Sequence, residues 1–419
     1  MVLLTESVCE GILYDKIRED SEKIQIIMQY LESRGLMKTL AQLEEETGSV
    51  YSPERLSEGG VFDVLVDSRT SCLDNEKNSC VEEEEFKLPI PGSCATGIEC
   101  VRNQIHASFN PTSVVWSKAE ADIVFSGGVD SKILKWKLVD GEIVRYEQFV
   151  LSVPSPVLYL DSSLIGHVVA SCMGGEVVVF HDGKDGQTEP TAILRPHGTN
   201  RVTYASFSPN GRIIATCGRD IAVAFTQLNE SGEWVSVEGS TIRFEREVSS
   251  ICWISDEVIA VAETGNCMIG LYRIVNGTKE LVGELCMNKS VRDPRSSYSM
   301  LAMTYHEELG LLAGCTSRNS AILFKLPDEM GNGNVACPIK TYYGMSIGIY
   351  DFPSIEFSVD GSFLYVTSDK HVLVFETKTC HKVFSICGSE SKPIRSVKRD
   401  LLTDRLASVS FDKCLYVMS

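Results

Sequence analysis

The sequence predicts a mainly β chain, a seven-bladed β-propeller, preceded by a small α-helical hairpin. Three observations carry that expectation. Short strand-like segments recur at a nearly constant period over residues 97–419. Residues 21–48 carry two apolar stripes at helical spacing with a glycine between them. An acidic, aperiodic stretch separates the two. The expected divisions are a helical dimerisation hairpin over 1–50, an acidic flexible linker over 51–96 and the propeller over 97–419.

In the hairpin, Ser21 can cap a helix whose apolar residues Ile24, Ile27, Met28 and Leu31 share one face, with Tyr30 beside them. Gly35 breaks the pattern, and Leu36, Leu40 and Leu43 resume it up to Gly48, a residue suited to ending a helix. Two short helices cannot bury two apolar stripes by themselves, so Ile24, Ile27, Tyr30, Leu31, Leu36, Leu40 and Leu43 are expected to form a seam with a second copy. The alternative is ordinary core of a larger helical domain. The stretch that follows contains Glu82 to Glu85, scattered Ser and Asp, and Pro89 and Pro91, which is the chemistry of a solvated linker.

The repeat emerges when strands ending in a large apolar residue are aligned at Trp136, Phe180, Phe225, Tyr272, Phe324, Phe375 and Met418. Successive spacings are 44, 45, 47, 52, 51 and 43 residues, the length of a four-stranded blade. Before each lies a strand of small and β-branched residues, such as Ile123–Gly128 and Ile213–Gly218, as crowding around a central channel requires. The last unit stops after its third strand, so the missing outer strand is expected from Gly97 to Gln104, closing the ring and removing sheet edges.

Charge narrows the function classes. The chain of 419 residues has 39 Lys+Arg and 57 Asp+Glu, a net of −18. Residues 1–96 contribute 20 acidic and 9 basic side chains, and the remainder 37 and 30. Without a basic stripe, neither direct nucleic-acid binding nor attachment to an anionic membrane is expected. No apolar run reaches the roughly 18–20 residues of a membrane helix, and the N-terminus lacks the pattern of a signal peptide. Fifteen cysteines without paired spacing therefore read as the reduced thiols of an intracellular protein, cytoplasmic or nuclear.

The C-terminal region resembles a degenerate WD40 propeller. Its first unit carries that family's hydrogen-bonding set most fully, in His106, Ser126, Asp130 and Trp136. Ser408 and Asp412 repeat part of the set, and Asp220 and Asp369 mark the same turn in the third and sixth units. The other three units have Gly174, Asn266 and Arg318-Asn319 there, and the Trp-Asp dipeptide that names the family occurs nowhere. The N-terminal hairpin resembles a LisH motif through Tyr30-Leu31, Gly35-Leu36, Thr39, Leu43 and Glu46-Thr47-Gly48, with Leu36 where tyrosine is more usual. That resemblance implies a homodimer built as a four-helix unit.

Candidate chemistry is sparse. Gly344-Met345-Ser346-Ile347-Gly348 matches a nucleophile elbow, but no helix pattern follows it, and an inter-blade loop explains it better. His106, Asp130 and Ser126 could be read as a catalytic set, yet a structural network accounts for them. The seven histidines are dispersed and no Cys-x-x-Cys occurs, so no metal or cofactor is expected. Cys172, Cys217 and Cys315 sit at equivalent strand ends, as small apolar packing residues do.

The expected function is a non-catalytic scaffold or adaptor, dimerising through the hairpin and presenting propeller faces to other proteins of a multi-subunit assembly. The alternatives are the substrate-recognition subunit of a ubiquitin ligase, a trafficking subunit, or a propeller-based hydrolase. Resemblance to LisH–WD40 proteins admits ligase, transcriptional, splicing and cytoskeletal settings; the Trp-Asp-x-Arg signature of cullin-4 adaptors is absent. Trp116, Tyr204, Trp253 and Tyr305 are candidates either for partner contact or for inner-strand packing.

Overall fold

A computed structural model describes residues 28, 31–32, 37–47, 94–182, 189–237, 239, 241–275, 278–288, 298–326, 335–347, 353–389 and 392–419. By its contacts the chain divides into two units, Met1–Lys87 and Leu88–Ser419.

In the first unit, helix α1 spans Met37–Thr47, and Met28, Leu31 and Glu32 are also helical. Met28 and Leu40 are buried, and Leu31 and Leu43 are half-buried. Ile24, Ile27, Tyr30 and Leu36, with most of the first expected helix and the turn, lie outside the described residues.

The second unit contains seven antiparallel sheets with up-and-down connections. The first runs from the inner strand Pro111–Trp116 through Ile123–Gly128 and Lys132–Val139 to the outer strand Glu142–Ser152. The next five blades begin on inner strands Val157–Ser162, Val202–Phe207, Val248–Trp253, Met300–His306 and Ile355–Phe357. The seventh comprises Ile394–Arg399, Leu406–Ser410 and Leu415–Met418, and its outer strand is Ile98–Arg102, from the opposite end of the unit. Backbone bonds from Thr96 N to Ser419 O (2.9 Å) and from Ser419 N to Gly97 O (3.1 Å) extend this closure. The outer strand thus falls inside the Gly97–Gln104 span expected for it. Inner strands pack on their neighbours in an unbroken cycle, the first against both the second and the seventh.

Every third strand ends on or near its predicted large apolar residue, and most second and third strands are buried over much of their length. Ile123–Gly128 and Leu311–Thr316 are buried at every position. Side chains from each pair of adjacent blades form their own core, giving seven such clusters among the described residues. Between the first two blades, Phe125 meets Phe149 and Phe180 edge-on at 5.7 and 5.6 Å. Cys172, Cys217 and Cys315 are fully buried in three of these cores. Burial pushes the Cys172 and Cys217 thiols up to about 12, so they act as small apolar groups.

The fourth strands are more exposed and vary widely in length, from Ala192–Leu194 to Glu142–Ser152. Two additions were not foreseen: Ile242–Arg243 pairs with the third strand of the third blade, and Val335–Ala336 adds in parallel to the outer strand of the fourth.

Candidate functional site

The inner strands all run in one sense, so the ring has an entry face, where the chain enters each inner strand, and an exit face. On the entry face, turns joining second and third strands are tied to the segments entering the inner strands. Val129 N donates to Asn110 O (3.0 Å), Met173 N to Pro156 O (2.9 Å), Arg219 N to Arg201 O (3.1 Å) and Phe411 N to Pro393 O (3.2 Å).

Beneath these ties lie the side-chain networks. In the first blade, His106 Nδ1 lies 2.9 Å from Asp130 Oδ1 and Nε2 lies 3.0 Å from Ser126 Oγ, which accepts the Trp136 indole N–H at 2.8 Å. The relay runs from the turn carboxylate to the third strand through the imidazole. A Cβ on Gly128 would stand 2.5 Å from His106 Nδ1, so only glycine leaves room for the ring. Ser126 is 0% exposed, which removes its hydroxyl from any substrate and leaves it as a structural bridge.

The third blade repeats the arrangement with a histidine that the sequence reading missed. His197 Nδ1 lies 2.7 Å from Asp220 Oδ1, and Nε2 lies 2.9 Å from Thr216 Oγ1. The signal was available: the histidine precedes its aspartate by 23 residues here and by 24 in the first blade. Asp220, read from the sequence only as a turn marker, is thus paired with a histidine.

The seventh blade has Ser389 in that place. Its hydroxyl donates to Asp412 Oδ2 (2.7 Å), which also accepts from Tyr416 OH (2.5 Å). The Ser408 hydroxyl is buried with no hydrogen-bond partner, because a serine cannot span the gap that an imidazole bridges. In the second blade Glu176 takes the anionic role, accepting from Ser155 Oγ (2.8 Å) and Arg195 (2.6 Å). Asp369 contributes through its backbone: it lies in a left-handed turn (φ +49°) and its carbonyl accepts from Ile394 N at 2.7 Å.

The central channel contains a cavity of about 130 Å³ lined by residues from all seven blades. Deep in it, Lys398 pairs with Glu356 (2.6 Å) and lies over the Tyr159 ring. Burial alone would lower the Lys398 ammonium, but Glu356 and Tyr159 outweigh it and raise it well above the ordinary lysine value. Burial would likewise raise the Asp161 carboxyl; Lys118, Lys398, the Phe207 amide and the Ser206 hydroxyl together hold it below the usual aspartate value. Lys398 and Asp161 are therefore each held in the charged form by neighbours of opposite sign.

Trp116 and Trp253 are buried and pin adjacent blades, donating to Lys398 O (3.2 Å) and Ser206 O (3.1 Å). Tyr204 OH reaches Leu301 O at 2.8 Å, and Tyr305 is half-buried. Ser346 sits in an irregular segment with its amide bonded to Ser368 Oγ (2.7 Å), so the elbow-like string lacks the strand–turn–helix geometry at its serine.

Residues 188–221 match the family model for the WD domain, G-beta repeat, a segment containing both His197 and Asp220. The chain is also similar to one of the subunits of chromatin assembly factor 1 from Gallus gallus, at 28% identity over 209 residues, covering 43% of this chain. It spans 36% of that relative's length.

Proposed function

We propose that this chain is a non-catalytic scaffold subunit, presenting the faces of a rigid WD40 propeller to other proteins of an intracellular assembly. The observation that carries the reading is the closed ring. Seven blades locked by inter-blade cores and by the Ile98–Arg102 strand hold the loops of both faces in fixed relation, as a multi-partner docking platform requires. The relative's name, as a subunit of an assembly factor, supports the same class of role. The polar groups with catalytic residue types are spent on structure, His106, Asp130 and Ser126 on one another and Glu356 on Lys398.

The N-terminal unit joins two copies in this reading, with Met28, Leu31, Leu40 and Leu43 on the seam together with Ile24, Ile27, Tyr30 and Leu36. Two tethered propellers gain avidity for partners that bind each weakly. Purified full-length chain should run as a dimer in light scattering, and deletion of residues 1–50 should leave a folded monomer. Co-purification with both forms should retain the same partners, with weaker recovery for the deletion. A deletion that remains dimeric contradicts the seam, and a full-length chain that carries no stoichiometric partner contradicts the scaffold.

A further inference from the structure

The two faces of the ring differ in charge. The seven turns joining inner to second strands, on the exit face, carry nine acidic and three basic residues; those joining second to third strands, on the entry face, carry five and four. On the fifth, sixth and seventh blades the exit-face turns span residues 307–310, 358–362 and 400–405. They hold Glu307, Glu308, Asp360, Asp400 and Asp404 against Arg405. Arg405 is already engaged, with Glu99 and Asp122 each at 3.0 Å. Two other cations lie close: Lys325 donates to Leu309 O (2.8 Å), and Arg399 offsets part of the Asp404 charge. Farther out on the sixth blade, Glu376 and Lys378 balance each other. The three turns keep a negative surplus.

The same turns carry an apolar patch. Val359, Leu401 and Leu402 are 45%, 43% and 60% exposed, and Leu309 beside them is half-buried. Contacts between turns hold them together. Val359 O accepts from His306 Nε2 (2.9 Å), Val359 N donates to Asp404 Oδ1 (3.1 Å), and a Cβ on Gly361 would collide with Leu309. The turn amides are spent within the chain: Leu402 N donates to Asp400 Oδ1 and Ser362 N to Asp360 Oδ1, both at 3.0 Å, and Gly361 N to Ser358 O, also at 3.0 Å. The patch therefore offers no ladder for an added strand, and an occupant must satisfy its own backbone, as a helix does. Burial pushes the Asp404 carboxyl above the usual aspartate value; the Val359 amide and Arg399 pull against it, and the Asp360 and Asp400 charges add to the rise. A cation arriving here relieves that repulsion.

We propose that this exit-face patch docks a basic amphipathic helix of a partner protein, its apolar side chains on Val359, Leu401 and Leu402 and its lysines or arginines beside Glu307, Glu308 and Asp404. Charge complementarity selects the occupant. The acidic surround repels an anionic membrane and the like-charged patch of a second copy. The proposal rests on the scaffold reading and adds to it one surface and the chemistry of one partner.

The test is fluorescence anisotropy on the full-length chain with a labelled 18-residue peptide of Leu and Lys, its leucines at i, i+3, i+4 and i+7. The controls are a peptide of equal composition with leucines scattered around the helix, and one with Glu for Lys. The patterned Lys peptide should bind about tenfold or more tightly than either. The L401S/L402S variant should lose about tenfold in affinity and E307Q/E308Q about threefold. The D256N/E257Q variant, on the exit face of the fourth blade, should stay within about twofold, as should L164S/I165S on the second.

Equal binding of the scattered peptide, or a D256N/E257Q loss as large as that of E307Q/E308Q, overturns the proposal, since the peptide then reads charge anywhere on the face. A smaller particle for L401S/L402S in light scattering also overturns it, by assigning the patch to a second copy. Should L401S/L402S not keep the melting curve of the unaltered chain, the E307Q/E308Q and scattered-peptide results decide. A chain that fails these tests yet still carries partners at fixed stoichiometry loses the patch and keeps the scaffold.

Discussion

The first and seventh blades use the same turn for the same purpose with different chemistry. In the first, an imidazole spans from Asp130 to Ser126, and the indole of Trp136 completes the chain. In the seventh, Ser389 reaches Asp412 but leaves Ser408 unpartnered, and Tyr416, two residues before the Met418 that stands in the tryptophan's place, bonds directly to the carboxylate. The carboxylate is satisfied in both, so the turn survives. What differs is the link between the turn and the second strand. In these two blades the anion that organises the turn is kept while the rest of the relay differs.

His106→Ala should break this contrast most severely, leaving part-buried Asp130 and buried Ser126 without their bridge, at a cost of about 3 kcal/mol in urea unfolding. His197→Ala should cost about 2 kcal/mol, since no indole hangs on Thr216. Ser126→Ala should lose about 1–2 kcal/mol, because both an imidazole and an indole N–H lose their partner. Tyr416→Phe should cost about 1 kcal/mol, because Asp412 keeps Ser389 and the Cys414 amide. Ser408→Ala should change stability by less than about 0.5 kcal/mol or raise it, as the lost hydroxyl bonds to nothing. A Ser408→Ala loss equal to that of Ser126→Ala would erase the distinction between the blades.

These differences also show what a sequence discloses. The period was legible because the second and third strands, buried over most of their length, are largely apolar. Phe180, Phe225, Phe324 and Phe375 therefore announce themselves. Closure was legible because a unit of three strands leaves an edge, and Ile98–Arg102 supplies it. Outer strands such as Lys382–Cys387, exposed at all but one position, carry no such signature. His197 was missed because the relay was sought in turns, whereas its imidazole comes from the loop before the inner strand. The exit-face patch was invisible for a related reason: Leu309, Val359 and Leu402 belong to three blades, and only the ring brings their turns together. In the N-terminal unit, α1 lies where the second stripe predicts it, and Leu40 of that stripe is buried.

Ring closure is the premise of the scaffold, and truncation tests it most directly. A chain of residues 88–419 keeps Ile98–Arg102, whereas a chain of residues 104–419 lacks it and exposes the edge of Leu415–Met418 together with the core between the seventh and first blades. The account predicts that the longer chain melts in one sharp transition within a few degrees of the full-length protein, and that the shorter one melts at least about 10 °C lower or aggregates. Superimposable melting curves for the two truncations would contradict it.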